Sequence, residues 1–170
     1  MTAATPRRPA KAALTAGAFA AAIAVATPVI MAWEGDGGRV GYRDIVGVAT
    51  SCYGHTGPDV VVGKRYTATE CRGQLAKDVA KHAEGIRACI KVSVPVESFA
   101  AFTSFAFNVG VAGFCRSTVN RKLNAGDLAG ACAGLSAWDK ARVNGKLQPV
   151  RGLTRRRAAE RALCEKGLRS

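Results

Sequence analysis

Glu34, Asp44 and Thr50 place two carboxylates and a hydroxyl within 17 residues of one another. Cleaving a glycosidic bond needs one carboxyl that stays protonated, to donate to the leaving oxygen, and a second that stays ionised on the other side of the sugar. Glu34 follows Val29, Ile30, Met31, Ala32 and Trp33, an apolar wall of the kind that desolvates a carboxylate and favours its protonated form. Asp44 lies next to Arg43 among turn and strand formers, where ionisation is easier. Thr50 supplies a hydroxyl able to hold a water. By spacing alone the alternative is an N-terminal turn carrying solvated acids. Asp36 is a rival carboxylate. His55 is expected to hydrogen-bond and brace a sheet rather than to abstract protons.

The elements that must position these groups are legible in part. Residues 34–57 are rich in Gly and β-formers, which reads as short strands joined by tight turns, a small sheet. Thr67 and Glu70 form a capping-box pair opening a helix from about Ala68 to Lys91. After Pro95, the spacing of Phe99, Phe102, Phe105, Ala106 and Val109 predicts a helix over 96–109 with a buried stripe, ended by Gly110 and Gly113. Further helices are expected over 115–123, over 127–137 with Asp127 as cap, and over 154–165; no element is assigned to 138–153. The fold class is α+β: a small sheet lobe, then a helical lobe, with a cleft between them.

In front of this domain, Ala12 to Trp33 carries no charge: 22 positions, about 33 Å as a helix, close to one bilayer core. Arg7, Arg8 and Lys11 precede it with no acid, so the stub stays in the cytoplasm and the rest crosses the membrane. Ten of the 22 residues are Ala, with Gly17 and Pro28 among the others, so the segment is export-competent but weakly held in lipid. A cleaved signal peptide with an Ala24-Val25-Ala26 site, a permanent anchor and a temporary anchor are the open readings. The expected organisation is a basic stub 1–11, a signal-anchor 12–33 and a domain 34–170.

Six cysteines, Cys52, Cys71, Cys89, Cys115, Cys132 and Cys164, all lie in the exported part, which reads as disulfides, with sequence neighbours expected to pair. No C-x-x-C pair occurs, and neither a metal nor a cofactor is expected. The charge is 25 − 12 = +13, of which 22 − 12 = +10 follows the apolar segment, suiting an anionic envelope. Arg155, Arg156, Arg157 and Arg161 form either a solvated helix face or a substrate-attracting one. Nucleic acid is not an expected partner of an exported chain that carries no recognition motif.

Glu34-Gly35, then Tyr42-Arg43-Asp44 with Gly47 and Thr50, then Gly54-His55-Thr56, Phe107 to Phe114, Trp138 and Arg151 to Arg161 together resemble the phage-type lysozymes, glycoside hydrolases also called endolysins. The resemblance spans most of the exported domain. It implies a lysozyme-like fold and a muramidase cutting the β-1,4 bond between N-acetylmuramic acid and N-acetylglucosamine in peptidoglycan. Glu34 would be the general acid, Asp44 the opposing carboxylate and Thr50 the residue positioning the water. The nine residues between Glu34 and Asp44 are one more than the family pattern has. The apolar start resembles the signal-arrest-release subtype, which implies export by the host Sec machinery, tethering to the inner membrane, later release into the periplasm as a monomer, and host lysis. The competing functions are a non-catalytic cationic wall-binding protein and a lytic transglycosylase.

Overall fold

The computed structural model describes residues 14–35 and 38–170. Asp36 and the stub 1–11 therefore lie outside the described residues.

Helix α1 (Ala16–Glu34) is the first element among the described residues, with Thr15 as N-cap, its side chain accepting from the Ala18 amide. Ala22, Ala26 and Ile30, spaced by four, are buried, while the rest of the helix is partly or wholly in water. Alanine-rich composition makes that tolerable, since Ala favours helix and exposes little apolar surface. Phe19 meets the Phe99 ring edge-on at 5.9 Å and lies under the Arg87 guanidinium.

The small sheet follows: β1 (Tyr42–Arg43), β2 (Ala49–Ser51) and β3 (His55–Thr56), antiparallel in the order β1-β2-β3. Tyr42 faces Thr50, and Thr50 faces Thr56. Gly41 is a close-approach position: a Cβ there would run into the Val61 carbonyl, so segments 40–41 and 61–64 lie backbone to backbone, joined by Gly41 N–H to Lys64 O and Gly63 N–H to Gly41 O.

Helix α2 (Ala68–Cys89) begins at the expected capping box: the Glu70 amide donates to Thr67 Oγ1 at 3.1 Å, and the Thr67 amide to Glu70 Oε2 at 2.7 Å. Helix α3 (Val96–Val109) is the centre of the core. Phe99, Phe102 and Phe105 are wholly buried, and α1, α2 and the helix over Arg151–Lys166 pack around it. Gly110, at φ +81°, ends it. Gly113 does not act as a stop, because it lies inside α4 (Val111–Arg116). The helix expected over 115–123 is likewise interrupted. Ser117 takes an extended conformation, donates to the Phe114 carbonyl and accepts from the Asn120 amide, so it closes α4 and caps α5 (Thr118–Asn124). A serine that satisfies both helix ends makes the break cheap.

Asp127 caps α6 (Leu128–Gly134), which tightens into a 3-10 turn at Leu135–Trp138. An antiparallel hairpin follows, β4 (Lys140–Val143) and β5 (Lys146–Pro149). Its turn residues Asn144 and Gly145 both have positive φ, the geometry Asn-Gly adopts most readily. Helix α7 (Arg151–Lys166) starts three residues earlier than expected.

The cysteines pair in order along the chain, Cys52–Cys71, Cys89–Cys115 and Cys132–Cys164, with sequence separations of 19, 26 and 32. Closing loops of that size removes about 3–4 kcal/mol of unfolded-state entropy each, a useful supplement in a domain this small. The first bond ties the sheet to α2, the second ties α2 to α4, and the third ties α6 to α7.

Candidate active site

Glu34 is the last residue of α1. An acid there faces the negative end of the helix dipole, and the compensating charge comes from the far end of the chain: Arg156 Nη1 donates to Glu34 Oε1 at 2.8 Å. Beyond the apolar run 29–33 that precedes it in the chain, this carboxyl therefore has a guanidinium as its bonded partner.

Arg156 is itself held. Its Nε donates to Glu160 Oε1 at 3.1 Å and its Nη2 to the Ser104 carbonyl at 3.3 Å. Arg157 Nη2 donates to Asn108 Oδ1 at 2.9 Å, its Nε lies 3.0 Å from Glu160 Oε2, and its guanidinium stacks 4.8 Å over the Phe105 ring. The Ser104 hydroxyl donates to Glu160 Oε1 at 2.8 Å. Burial raises the Glu160 carboxyl from its ordinary value, against the pull of Arg157, the Ser104 hydroxyl and Arg156. Burial lowers the Arg157 guanidinium, against the pull of Glu160. Neither alternative for the arginine run describes Arg156 or Arg157, because both are buried. A buried arginine is stable only when paired and hydrogen-bonded, and here Glu160 supplies a pairing partner to both. Arg155 and Arg161 do face solvent, Arg161 pairing with Glu165 at 2.7 Å.

On the sheet lobe, Asp44 starts the β1–β2 turn. Its Oδ1 accepts from the amides of Val46 at 2.9 Å and Val48 at 2.8 Å, while its own amide donates to Val48 O. The carboxyl is thus fixed by backbone amides of a tight turn, and Oδ2 makes no hydrogen bond within the described residues. Thr50 is buried on β2 and its hydroxyl donates to Val48 O at 3.1 Å, leaving the oxygen free to accept. Asp44, in the β1–β2 turn, and Thr50, on β2, are thus joined through Val48. Glu34 belongs to the helical lobe, and among the described residues no hydrogen bond or ion pair links it to Asp44 or Thr50.

Three ties set the sheet on α2. Cys52 is bonded to Cys71, Ser51 Oγ donates to Gln74 Oε1 at 2.9 Å, and His55 Nδ1 lies 2.8 Å from Asp78 Oδ2. His55 Nε2 lies 3.0 Å from Asp59 Oδ1. The imidazole is a clasp between two acids, as its expected bracing role requires. Burial alone lowers His55, but the hydrogen bonds and charges of Asp59 and Asp78 outweigh it, and the net shift is upward from 6.5. A histidine raised in the folded state contributes stability that is complete below 6.5 and is lost as pH rises through the raised value. The urea midpoint of the native protein should therefore exceed that of a His55→Gln variant by more at about pH 5.5 than at about pH 8.5. Equal differences at both pH values would remove the charge from this clasp.

A pocket of about 330 Å³ opens beside the start of α2, lined by Asp59, Lys64, Tyr66, Glu70, Gly73, Gln74 and Lys77; it contains none of Glu34, Asp44 or Thr50. The Arg156–Glu160 cluster was missed by sequence reading. Its one local signal was a Glu in i,i+4 and i,i+3 relation to two arginines, a spacing that solvated helices share.

Comparison with known proteins agrees with this architecture. A family model described as phage lysozyme matches residues 32–160. A SAR-endolysin of Bacteriophage PS119 is 44% identical over 148 residues, covering 84% of this chain and 86% of its own. Among solved structures, the muramidase domain of SpmX from Asticaccaulis excentricus superposes with a TM-score of 0.76 at 29% identity, covering 82% of this chain and 93% of that one. The active form of the P1 phage endolysin Lyz does so with a TM-score of 0.71 at 25% identity, covering 92% of this chain and 97% of that one. A lysozyme-like fold matched along most of both partners, with a family model spanning the end of α1 through Glu160, places this chain in the phage lysozyme family, and it is a glycoside hydrolase.

Proposed function

We propose that this phage lysozyme is a membrane-tethered endolysin whose catalytic groups are Glu34, Asp44 and Thr50. It hydrolyses the β-1,4 bond between N-acetylmuramic acid and N-acetylglucosamine in peptidoglycan, and in doing so lyses the host cell. In its protonated form, Glu34 donates from the oxygen not bonded to Arg156 to the glycosidic oxygen as the bond to the anomeric carbon breaks. A water held between Asp44 Oδ2 and the Thr50 oxygen attacks that carbon from the opposite face and gives its proton to Asp44. The turn amides on Asp44 Oδ1 fix the direction of that carboxyl, and the Arg156 bond fixes the Glu34 side chain where α1 ends.

The observation that carries this reading is the position of Glu34, at the end of an apolar helix and clasped by Arg156 of α7 at 2.8 Å. Helix α1 is long and apolar enough to cross a membrane. When it does, Glu34 is pinned at the outer surface, away from Arg156. The Arg156 berth does not collapse without it, because Glu160 and the Ser104 carbonyl still hold the guanidinium. Release lets Ala22, Ala26 and Ile30 settle against the domain and delivers Glu34 to its partner. The stub 1–11, anchor 12–33 and catalytic domain 34–170 then have distinct tasks, and residues on both sides of the Ala24-Val25-Ala26 site are used: Phe19 on Phe99 before it, Ile30 in the core after it. This favours an uncut chain, exported by the Sec machinery, held at the inner membrane, and freed into the periplasm as a monomer.

Digesting purified peptidoglycan tests the chemistry. Products whose muramic acid end has gained water are expected, whereas anhydro ends would make the enzyme a lytic transglycosylase. Dissipating the membrane potential of cells expressing the protein should release it with Met1 intact and switch on wall hydrolysis. Unchanged membrane association and unchanged activity would end the tether account.

A further inference from the structure

The sheet lobe exposes an apolar surface that hydrolysis does not use. At the β1–β2 turn, Ile45 and Val46 stand 104% and 76% exposed, and Val48 is 43% exposed. Val61 and Val62 add to the surface beside Gly41, as does Tyr42 on β1. Exposed large apolar residues gathered at one turn, here Ile45, Val46 and Val48, mark an interaction surface. An outward-facing Ile45-Val46 pair at a hairpin tip has no packing role to explain it. The charges around it are mainly basic: Arg43, which donates to Gly47 O at 2.8 Å, the exposed Arg65, and Lys64, paired with Glu70. The nearby acids are engaged, Asp44 with turn amides and Asp59 with His55. Apolar side chains at a tip, rimmed by Arg and Lys, suit the interface of an anionic bilayer.

Chain continuity selects the same partner. Ten residues lie between Glu34 and Ile45, a span of at most about 40 Å fully extended, and Gly35, Gly37, Gly38 and Gly41 lie among them. With α1 across the membrane, the tip cannot leave the neighbourhood of the lipid surface, and its local concentration there is high.

We infer that in the tethered protein the β1–β2 turn inserts Ile45 and Val46 into the anionic lipid interface, so that the bilayer occupies the face beside Asp44. This rests on the tethered reading of α1 and adds a second restraint to it. Lipid withholds Asp44 from glycan while the tether withholds Glu34 from Arg156.

The described cysteines are all disulfide-bonded and the sequence contains no others, so an Ile45→Cys substitution in the full chain supplies a single thiol for an environment-sensitive fluorophore. The labelled protein is reconstituted into phosphatidylethanolamine–phosphatidylglycerol vesicles and floated on a density gradient. The expected result is a blue-shifted, brighter emission quenched by lipids spin-labelled near the headgroup, with a Ser170→Cys label at the chain end remaining aqueous. Adding Val46→Asp to the Ile45-labelled protein should return its emission to the aqueous position without loss of flotation. If the protein floats but the Ile45 label stays aqueous, the surface assignment is wrong and the tether stands. If the protein does not float, the tether itself is wrong and the insertion falls with it. A blue shift that grows with protein concentration in vesicle-free buffer would assign the patch to a second copy of the chain and overturn the lipid proposal.

Discussion

A Glu34→Gln enzyme is expected to clear peptidoglycan suspensions about 10²- to 10⁴-fold more slowly than the native enzyme, the range over which a positioned general acid accelerates a reaction. The substitution is suited to the question because the amide oxygen can still accept from Arg156 Nη1, which now donates to Glu34 Oε1 at 2.8 Å. The end of α1 should therefore keep its place, and only the transferable proton is lost. Far-ultraviolet circular dichroism and sedimentation with insoluble wall should match the native protein. Activity within tenfold of native would return Glu34 to the status of a surface acid and revive a wall-binding protein without chemistry. The parallel Asp44→Asn variant should also be inactive, but it is a less clean test, because Oδ1 of Asp44 also holds the turn through Val46 and Val48.

The largest loss of stability is expected from Glu160→Gln. Glu160 is fully buried between Arg156 and Arg157 and accepts from the Ser104 hydroxyl. Removing its charge leaves two guanidiniums to share Glu34 and neutral oxygens, one of them with no charged partner at all. Breaking a buried ion pair from one side costs about 3–5 kcal/mol, which in a protein of this length lowers Tm by about 6–20 °C. Arg161→Gln on the same helix is the control. Its pair with Glu165 is exposed, and such pairs contribute at most about 1 kcal/mol. Thermal unfolding of the two variants, followed by circular dichroism, should separate them widely. Activity of Glu160→Gln below its melting range should also fall, because Arg156 loses the bond that orients it toward Glu34. A Tm within a few degrees of the control would mean that water or rearrangement satisfies the arginines.

Local signals were readable wherever they involve neighbours in the chain. The Thr67–Glu70 capping box, the period of Phe99, Phe102 and Phe105, and the turn-rich run before Gly57 each announce an element through groups a few residues apart, and each element is where those groups predict. Asn144-Gly145 was also legible as a hairpin turn, although residues 138–153 were assigned nothing, because strands of four mostly exposed residues show no clear alternation. The split of 115–123 at Ser117 depends on a single hydroxyl satisfying both helix ends, and a serine in a helical run does not by itself reveal that.

By itself the sequence determined an apolar segment followed in order by two acids and a hydroxyl, six cysteines that pair with their sequence neighbours, and a sheet-then-helix layout. The tertiary structure alone decided the environment of Glu34. Arg156 is 122 residues away in the chain, and nothing local distinguishes a buried arginine from a solvated one. Whether such a charge can leave water depends on which partners the whole fold brings to it. Here α1, α3 and α7 converge to supply Glu34, Ser104 and Glu160, and two arginines of the run read as surface become buried partners of these groups.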